Sequence, residues 1–233
     1  MQIKDDSIAF DKPKAKGYDN QFAKLMPMKA ALHLCMRLIF TDLPDGAHVL
    51  CVGAGTGDEL LHLAQAYPTF RFTAVDPAGA MLDICREKAD AAGITDRCAF
   101  FEGYLDALPE TAPFDAATSI LVSHFLMDPS ARTAFFAEIA SRLKPGGMLV
   151  SADISGELAK PAGQHLMGLW LKSFEYAGMQ PEKMKSYKAS LGKKVSVLAP
   201  DAVANIIAAG GFDAPTLFFQ TLFIHGWATI KAS

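Results

Sequence analysis

The sequence predicts an α/β protein built on a doubly wound sheet of seven strands, mostly parallel, with one antiparallel strand near the C-terminus. Three observations predict it. Short apolar runs alternate with amphipathic segments from His48 to Asp153, the pattern of right-handed βαβ units around a sheet covered on both faces. A glycine-rich turn, Gly53-Ala54-Gly55-Thr56-Gly57, separates the first run from the first helix of that alternation. Two final apolar runs, Thr216–Phe223 and Gly226–Ile230, are joined by little more than Ile224-His225. So short a link forces them antiparallel, because a parallel crossover needs about ten residues or more.

Residues 1–20 are polar, and residues 21–41 carry helical periodicity interrupted by Pro27. The simplest reading is a helix from Met28 to Phe40, closed by the turn Pro44-Asp45-Gly46. Strands are then expected at His48–Gly53, Arg71–Val75, Cys98–Glu102, Phe114–Val122 and Met148–Asp153. Helices are expected at Asp58–Ala66, Ala80–Ala91, Ser130–Leu143 and Asp201–Ala209, with Lys144-Pro145-Gly146-Gly147 as a turn before the fifth strand. Residues 155–200 match no specific pattern. The organisation expected is one domain over residues 1–233, with 1–45 as a helical cap and 155–200 as an insertion on the substrate side.

Composition narrows the class. The chain has 233 residues, 51% of them hydrophobic, enough for one full core. A formal net charge of -3 does not suggest a general nucleic-acid binder. Four cysteines lie in apolar or helical stretches with no CxxC pair, which suits buried free thiols in a reducing compartment. The N-terminus lacks the apolar core of a secretory signal, and no apolar run approaches about 18 residues. A cytoplasmic protein without a membrane span is expected. No HExxH or other metal-ligand spacing occurs.

The glycine turn permits positive φ and close backbone approach to a ligand, and the helix after it offers unpaired N–H groups. Alone it is weak evidence. Asp76 ends the second strand about twenty residues later, where a doubly wound sheet sets a carboxylate beside the loop. There it accepts from two ribose hydroxyls, or caps the helix after Pro77; the two roles are compatible. The spacing is GxGxG, with Asp58 in the place of the third dinucleotide glycine. An acid at the helix start repels a pyrophosphate, so a ligand without phosphates fits better.

VLCVGAGTGDELL, FTAVDPAGAML, FFEGYLDALP, FDAATSILVSHFL, LKPGGMLVSAD and the terminal hairpin, in that order, resemble the motifs of the class I S-adenosylmethionine (SAM)-dependent methyltransferases. The resemblance covers residues 46–155 and 201–231 and implies a Rossmann-like fold, SAM as cofactor and S-adenosylhomocysteine as product. It assigns Gly53, Ala54, Gly55 and Gly57 to the methionine end of SAM and Asp76 to the ribose. Pro77 and Met81 would lie beside the ribose or adenine, Gly103, Tyr104 and Leu105 beside the adenine, and Leu121 and Val122 against the amino-acid part. Two positions depart from the family pattern. Cys51 stands where an acid is usual, and Tyr104 where an acid usually bonds the adenine amine, with Asp106 two residues later. Tyr104 either stacks on adenine or packs in the core.

In-line methyl transfer needs a general base only when the nucleophile is protonated. His124, after the fourth strand, is the candidate base; the alternative is a hydrogen-bonded core histidine. His165, Trp170, Phe174 and Tyr176 are candidates for the acceptor pocket, or simply pack. Trp170 and Phe174 share one helix face. Tyr18 and Phe22 are candidates to close over SAM. Lys183, Lys185, Lys188, Lys193 and Lys194 form either a solvated face or an attractor for an acidic substrate or RNA.

A second resemblance joins LFFQTLFIHGWATIKA and the N-terminal region to the carboxy-SAM synthases that serve tRNA wobble modification. Those enzymes bind the extra carboxylate with a late arginine, and this chain has none after Arg142. The reading that follows is methyl transfer to a small molecule, by a monomer or homodimer acting on neither membrane nor, by preference, nucleic acid. Its alternatives are a carboxy-SAM-synthase-like or tRNA-modification-related enzyme, and a catalytically silent SAM-binding module.

Overall fold

The computed structural model describes residues 23–233. Seven strands form one sheet: β1 His48–Val52, β2 Arg71–Asp76, β3 Cys98–Glu102, β4 Phe114–Ile120, β5 Leu143–Ile154, β6 Thr216–Thr221 and β7 Ile224–Ile230. Their order is β3-β2-β1-β4-β5-β7-β6, and only β7 runs against the rest. The expected sheet is therefore present, reversed strand included. Its order switches direction between β1 and β4. In open α/β sheets the ligand crevice lies outside the carboxyl ends of the strands at such a switch.

Seven α-helices flank the sheet among the described residues: α1 Met26–Ile39, α2 Asp58–Ala66, α3 Gly79–Ala91, α4 Pro129–Arg142, α5 Pro161–Ala177, α6 Pro181–Ser190 and α7 Pro200–Ala209. Strand periodicity divides the core. Val49 and Cys51 of β1 face Met36 and Phe40 of α1, Leu60 and Leu63 of α2, and Leu82 and Cys85 of α3. Leu50 and Val52 face the opposite layer, with Phe136 and Ile139 of α4, Val203 and Ile207 of α7, and Trp227 of β7. Alternate residues of one strand thus anchor both helical layers.

Four boundaries differ from the sequence expectation. Helix α1 begins at Met26, so Pro27 sits in its first turn, where its missing N–H costs no helical hydrogen bond. Strand β4 stops at Ile120 because Leu121 takes φ 60°, a left-handed conformation rare for a branched side chain. Lys144-Pro145-Gly146-Gly147 is absorbed into β5 as an irregularity opposite Phe114 and Ala116, not as a separate turn. The hairpin turn is Leu222-Phe223, two residues earlier than expected. Phe223 is 1% exposed and packs edge-on to Trp170 of α5, so the turn is apolar because it is buried.

Residues left without a pattern by the sequence fold as α5 and α6. They enclose a third apolar cluster of Trp170, Phe174, Val195, Phe223 and Ile154. Bridges Ser155↔Leu198 and Leu191↔Val195 close the segment. No helix among the described residues is long and apolar enough to cross a membrane.

Ile207 is fully buried between α7 and the sheet. Ile207→Ala is expected to destabilise the fold by about 2–5 kcal/mol, read as a lower urea midpoint at unchanged slope.

Candidate functional site

The glycine loop leaves β1 at the switch point. Gly53, Gly55 and Gly57 all take positive φ, at 69°, 54° and 80°. Two of them are also required by space. A Cβ on Gly53 would overlap the Val122 side chain at the end of β4, and one on Gly57 would overlap the Cys85 thiol of α3. At Gly55 the nearest atom to such a Cβ is Met81 Cε, 3.6 Å away, which is ordinary contact.

Asp76 locks this loop in place. Its Oδ2 accepts from the Gly55 N–H and its Oδ1 from the Ala78 N–H, both at 2.8 Å. Gly53 and Ala54 donate to the Val75 carbonyl at 2.8 and 3.1 Å, so β2 holds three consecutive loop amides. Burial raises the pKa of Asp76, and the Ala78 and Gly55 amides partly offset that. The N-cap of α3 is Ala78, so Asp76 caps a turn rather than that helix. Each of its oxygens holds one backbone donor and keeps a second lone-pair direction.

The other residues that the resemblance named for the cofactor differ in their settings. Met81 and Leu105 are buried, Pro77 is exposed, and Tyr104 is 40% exposed. Gly103 donates to the Asp76 carbonyl at 3.0 Å, tying the β3 exit to the β2 exit. Leu121 and Val122 flank the loop from β4, with the Leu121 N–H on the Ala152 carbonyl at 2.6 Å. The donor set fits SAM. It offers close backbone approach at the glycines, a carboxylate with lone pairs left for ribose hydroxyls, and apolar side chains for adenine.

The acids near the loop differ from the sequence expectation. Cys51 is fully buried in the core beside Thr118, its thiol pushed up by burial. It faces the α1–α2–α3 layer rather than a ligand. Glu59, just past the loop, is 7% exposed, and burial raises its pKa to about 7. Two consecutive acids, Asp58 and Glu59, were its only sequence signal. Asp58 pairs with Lys29 of α1 and with Lys88 of α3, the latter at 2.6 Å. Burial raises its pKa, but the two lysines outweigh that and hold it low.

A second polar cluster lies at the ends of β4 and β5, and sequence reasoning found only one of its members. Asp153, fully buried, accepts from Ser123 Oγ at 2.5 Å, the His124 N–H at 3.0 Å and His124 Nδ1 at 2.9 Å. Arg132 of α4, also fully buried, lies 3.1 Å from Asp153 through Nη2 and donates from Nε to Ser123 Oγ at 2.7 Å. Burial pushes the Asp153 pKa up, yet the His124 bond and the Arg132 charge hold it below the usual carboxylate range. An ionised Asp153 favours a proton on Nδ1 of His124 and sets the orientation of its ring. The signal available was topological: β4 and β5 are parallel neighbours, so their carboxyl ends meet.

The acceptor candidates separate. Trp170 and Phe174 are buried with ring centroids 4.9 Å apart, and the Trp170 indole donates to Tyr187 Oη at 3.0 Å. His165 is exposed, and Tyr176 is 68% exposed with Lys24 over its ring. Tyr18 and Phe22 lie outside the described residues. Lys183, Lys185, Lys188, Lys193 and Lys194 are all exposed.

Residues 49–147 match the family model for the methyltransferase domain. Over that stretch the chain resembles a methyltransferase. Its curated relatives include the carboxy-S-adenosyl-L-methionine synthase of Campylobacter jejuni, 28% identical over 149 residues, or 62% of this chain and 60% of that one. The erythromycin 3''-O-methyltransferase of Saccharopolyspora erythraea is 35% identical over 113 residues, covering 48% of this chain and 36% of that one. The chain thus spans about 60% of the length of the first of these. An O-methyltransferase family protein of Burkholderia thailandensis superposes with a TM-score of 0.66 at 15% identity, over 96% of this chain and 61% of that one. An O-methyltransferase family 2 protein of Planctomyces limnophilus, solved with apigenin, gives 0.61 at 21%, over 82% and 53%. At these identities the likeness is one of fold.

Glu59 gives the domain a pH signature. A carboxyl whose folded pKa is raised binds protons that the unfolded chain has already released, so its contribution falls as pH rises from about 4.5 to about 7. Glu59→Gln is expected to flatten that loss and to stabilise the protein at pH 8 by up to ~3 kcal/mol, read by urea melts across the range.

Proposed function

We propose that the protein binds SAM at the glycine loop and transfers its methyl group to a small-molecule acceptor. The observation that carries this is the Asp76 latch. One buried carboxylate accepts from the Gly55 amide of the loop and from the Ala78 amide, both at 2.8 Å, and keeps acceptor capacity beside them. When bound, SAM supplies a methyl carbon activated by the sulfonium; the acceptor's lone pair forms the new bond as the carbon–sulfur bond breaks. This chain's residues bind and orient. Gly53, Ala54, Gly55 and Gly57 hold the methionine end, and Asp76 holds the ribose. Pro77, Met81, Gly103, Tyr104 and Leu105 enclose the adenine side, and Leu121 and Val122 meet the amino-acid part. Residues 23–233 act as one domain in this reading, with 155–200 on the acceptor side.

His124 is the proton acceptor for a protonated nucleophile. Asp153 holds its Nδ1, and its carbonyl accepts from the Ser196 N–H at 2.7 Å, so the residue also joins β4 to the acceptor side. A second reading is supported by the similarity to the Campylobacter carboxy-SAM synthases over 62% of the chain. The absence of arginine after Arg142 weighs against it. Mass analysis of the sulfonium nucleoside released from purified protein separates the two: SAM supports methyl transfer, carboxy-SAM the second reading.

Asp76→Ala is expected to weaken SAM binding at least tenfold by calorimetry; unchanged affinity would remove its ribose role. His124→Gln is expected to lower labelled-methyl transfer from SAM into a small-molecule extract by about 10²-fold, with SAM affinity unchanged. An unchanged rate with a lowered melting temperature would reassign His124 to a purely structural role.

A further inference from the structure

Between α5, α6 and the chain after β5 lies a cavity of ≈ 380 Å³ lined by Leu158, Gln164, Met167, Lys188 and Leu191. Three of these walls are apolar, one is a neutral amide, and one is a cation. Leu158, Met167 and Leu191 belong to the same apolar cluster as Leu121 and Phe125, which follow β4 at the ligand edge of the sheet. The cavity therefore shares its apolar packing with the residues that follow β4. Its inner side is stiff: Trp170, one turn beyond Met167, is buried and bonded to Tyr187, the neighbour of Lys188.

The charge beside it is one-sided. Lys183, Lys185, Lys188, Lys193 and Lys194 are exposed within fourteen residues that contain one carboxylate, Glu182. None of the five makes an ion pair among the described residues. The whole chain is net negative at -3, so this surface is a local reversal of sign. A solvated face alone does not need a lysine in the wall of an apolar cavity.

We propose that this cavity takes the acceptor and that the acceptor class is an amphipathic small anion: an aromatic or aliphatic body seated on Leu158, Met167 and Leu191, with a carboxylate or sulfonate paired to Lys188. The remaining lysines draw such anions toward the mouth, an attraction that salt weakens. Gln164 offers one hydrogen-bonding side chain to the polar end. This rests on the methyltransfer reading for the word acceptor, but the binding itself does not need SAM.

The test uses two fluorescent probes of one skeleton: 8-anilinonaphthalene-1-sulfonate, which carries a sulfonate, and N-phenyl-1-naphthylamine, which does not. The anion is expected to bind the folded protein at least fivefold more tightly than the neutral probe, with the margin shrinking as salt is raised. Lys188→Gln, at an exposed position, is expected to abolish the preference; Lys144→Gln, which removes the same single charge near the start of β5, is expected to leave it. Equal affinity for the two probes overturns the proposal, and so does an equal response to Lys188→Gln and Lys144→Gln, which would make the effect one of overall charge. Calorimetry with SAM on the same samples keeps the two readings apart. SAM binding without probe preference sinks this inference alone, and probe preference without SAM binding sinks the methyltransfer reading alone.

Discussion

The carboxylate of Asp76 is the interaction on which the ligand edge depends. A parallel sheet covered on both faces can expose function only where its strands end. At those ends the backbone amides lose their ladder partners and must find others. Here β2 meets that demand for its neighbour. The Val75 carbonyl and the Asp76 side chain accept three successive amides of the loop that follows β1. The glycines are the other half of the same constraint. Gly53 and Gly57 are pressed against Val122 and Cys85, so the loop turns tightly enough for α2 to start where it does. Binding geometry and fold geometry are one set of bonds, and a change at Asp76 is felt by both.

The opposite side of the switch point is held by a different device. Asp153, Arg132, Ser123 and His124 form a buried cluster built on one ion pair at the ends of β4 and β5. Burying such charges yields little net stability compared with apolar packing, while losing one partner leaves the other stranded. The arrangement is better understood through what it orients. It fixes the imidazole of His124, and through the His124 carbonyl it fixes Ser196 and the segment that carries α5 and α6. Leu121, held at φ 60° just before it, is the accompanying strain.

How much of this was legible followed from how local each cause is. The strand–loop–helix at 48–66 was read to the residue at the α2 boundaries, because glycine conformation and apolar periodicity are written in neighbouring residues. Asp76 was legible because register in a doubly wound sheet sets the spacing. Arg132 and Asp153 were not, since neither is unusual in its own segment and only the β4–β5 pairing brings them together. The hairpin turn was displaced because Leu222 and Phe223 carry no turn chemistry; Phe223 serves the third apolar cluster instead. Helices α5 and α6 pack on that cluster and on each other, and α6 has no buried residue, so its apolar pattern was too faint to read.

The charge argument about the loop changes its basis. An acid at the start of α2 disfavours a pyrophosphate only if its charge is free, and Asp58 is not free: Lys29 and Lys88 both hold it. Its repulsion is therefore largely cancelled. What remains is the other side of the same pairing. The two lysines that reach the helix start are committed to Asp58, so a doubly charged pyrophosphate would meet backbone amides without a cation to balance it. A sulfonium ligand makes no such demand. It asks for a ribose acceptor and a close backbone, which the proposed site would draw from Asp76 and the glycines. The proposed preference for SAM over a dinucleotide thus rests on how the lysines are spent, and α1, which contributes Lys29, takes part in it from outside the crevice.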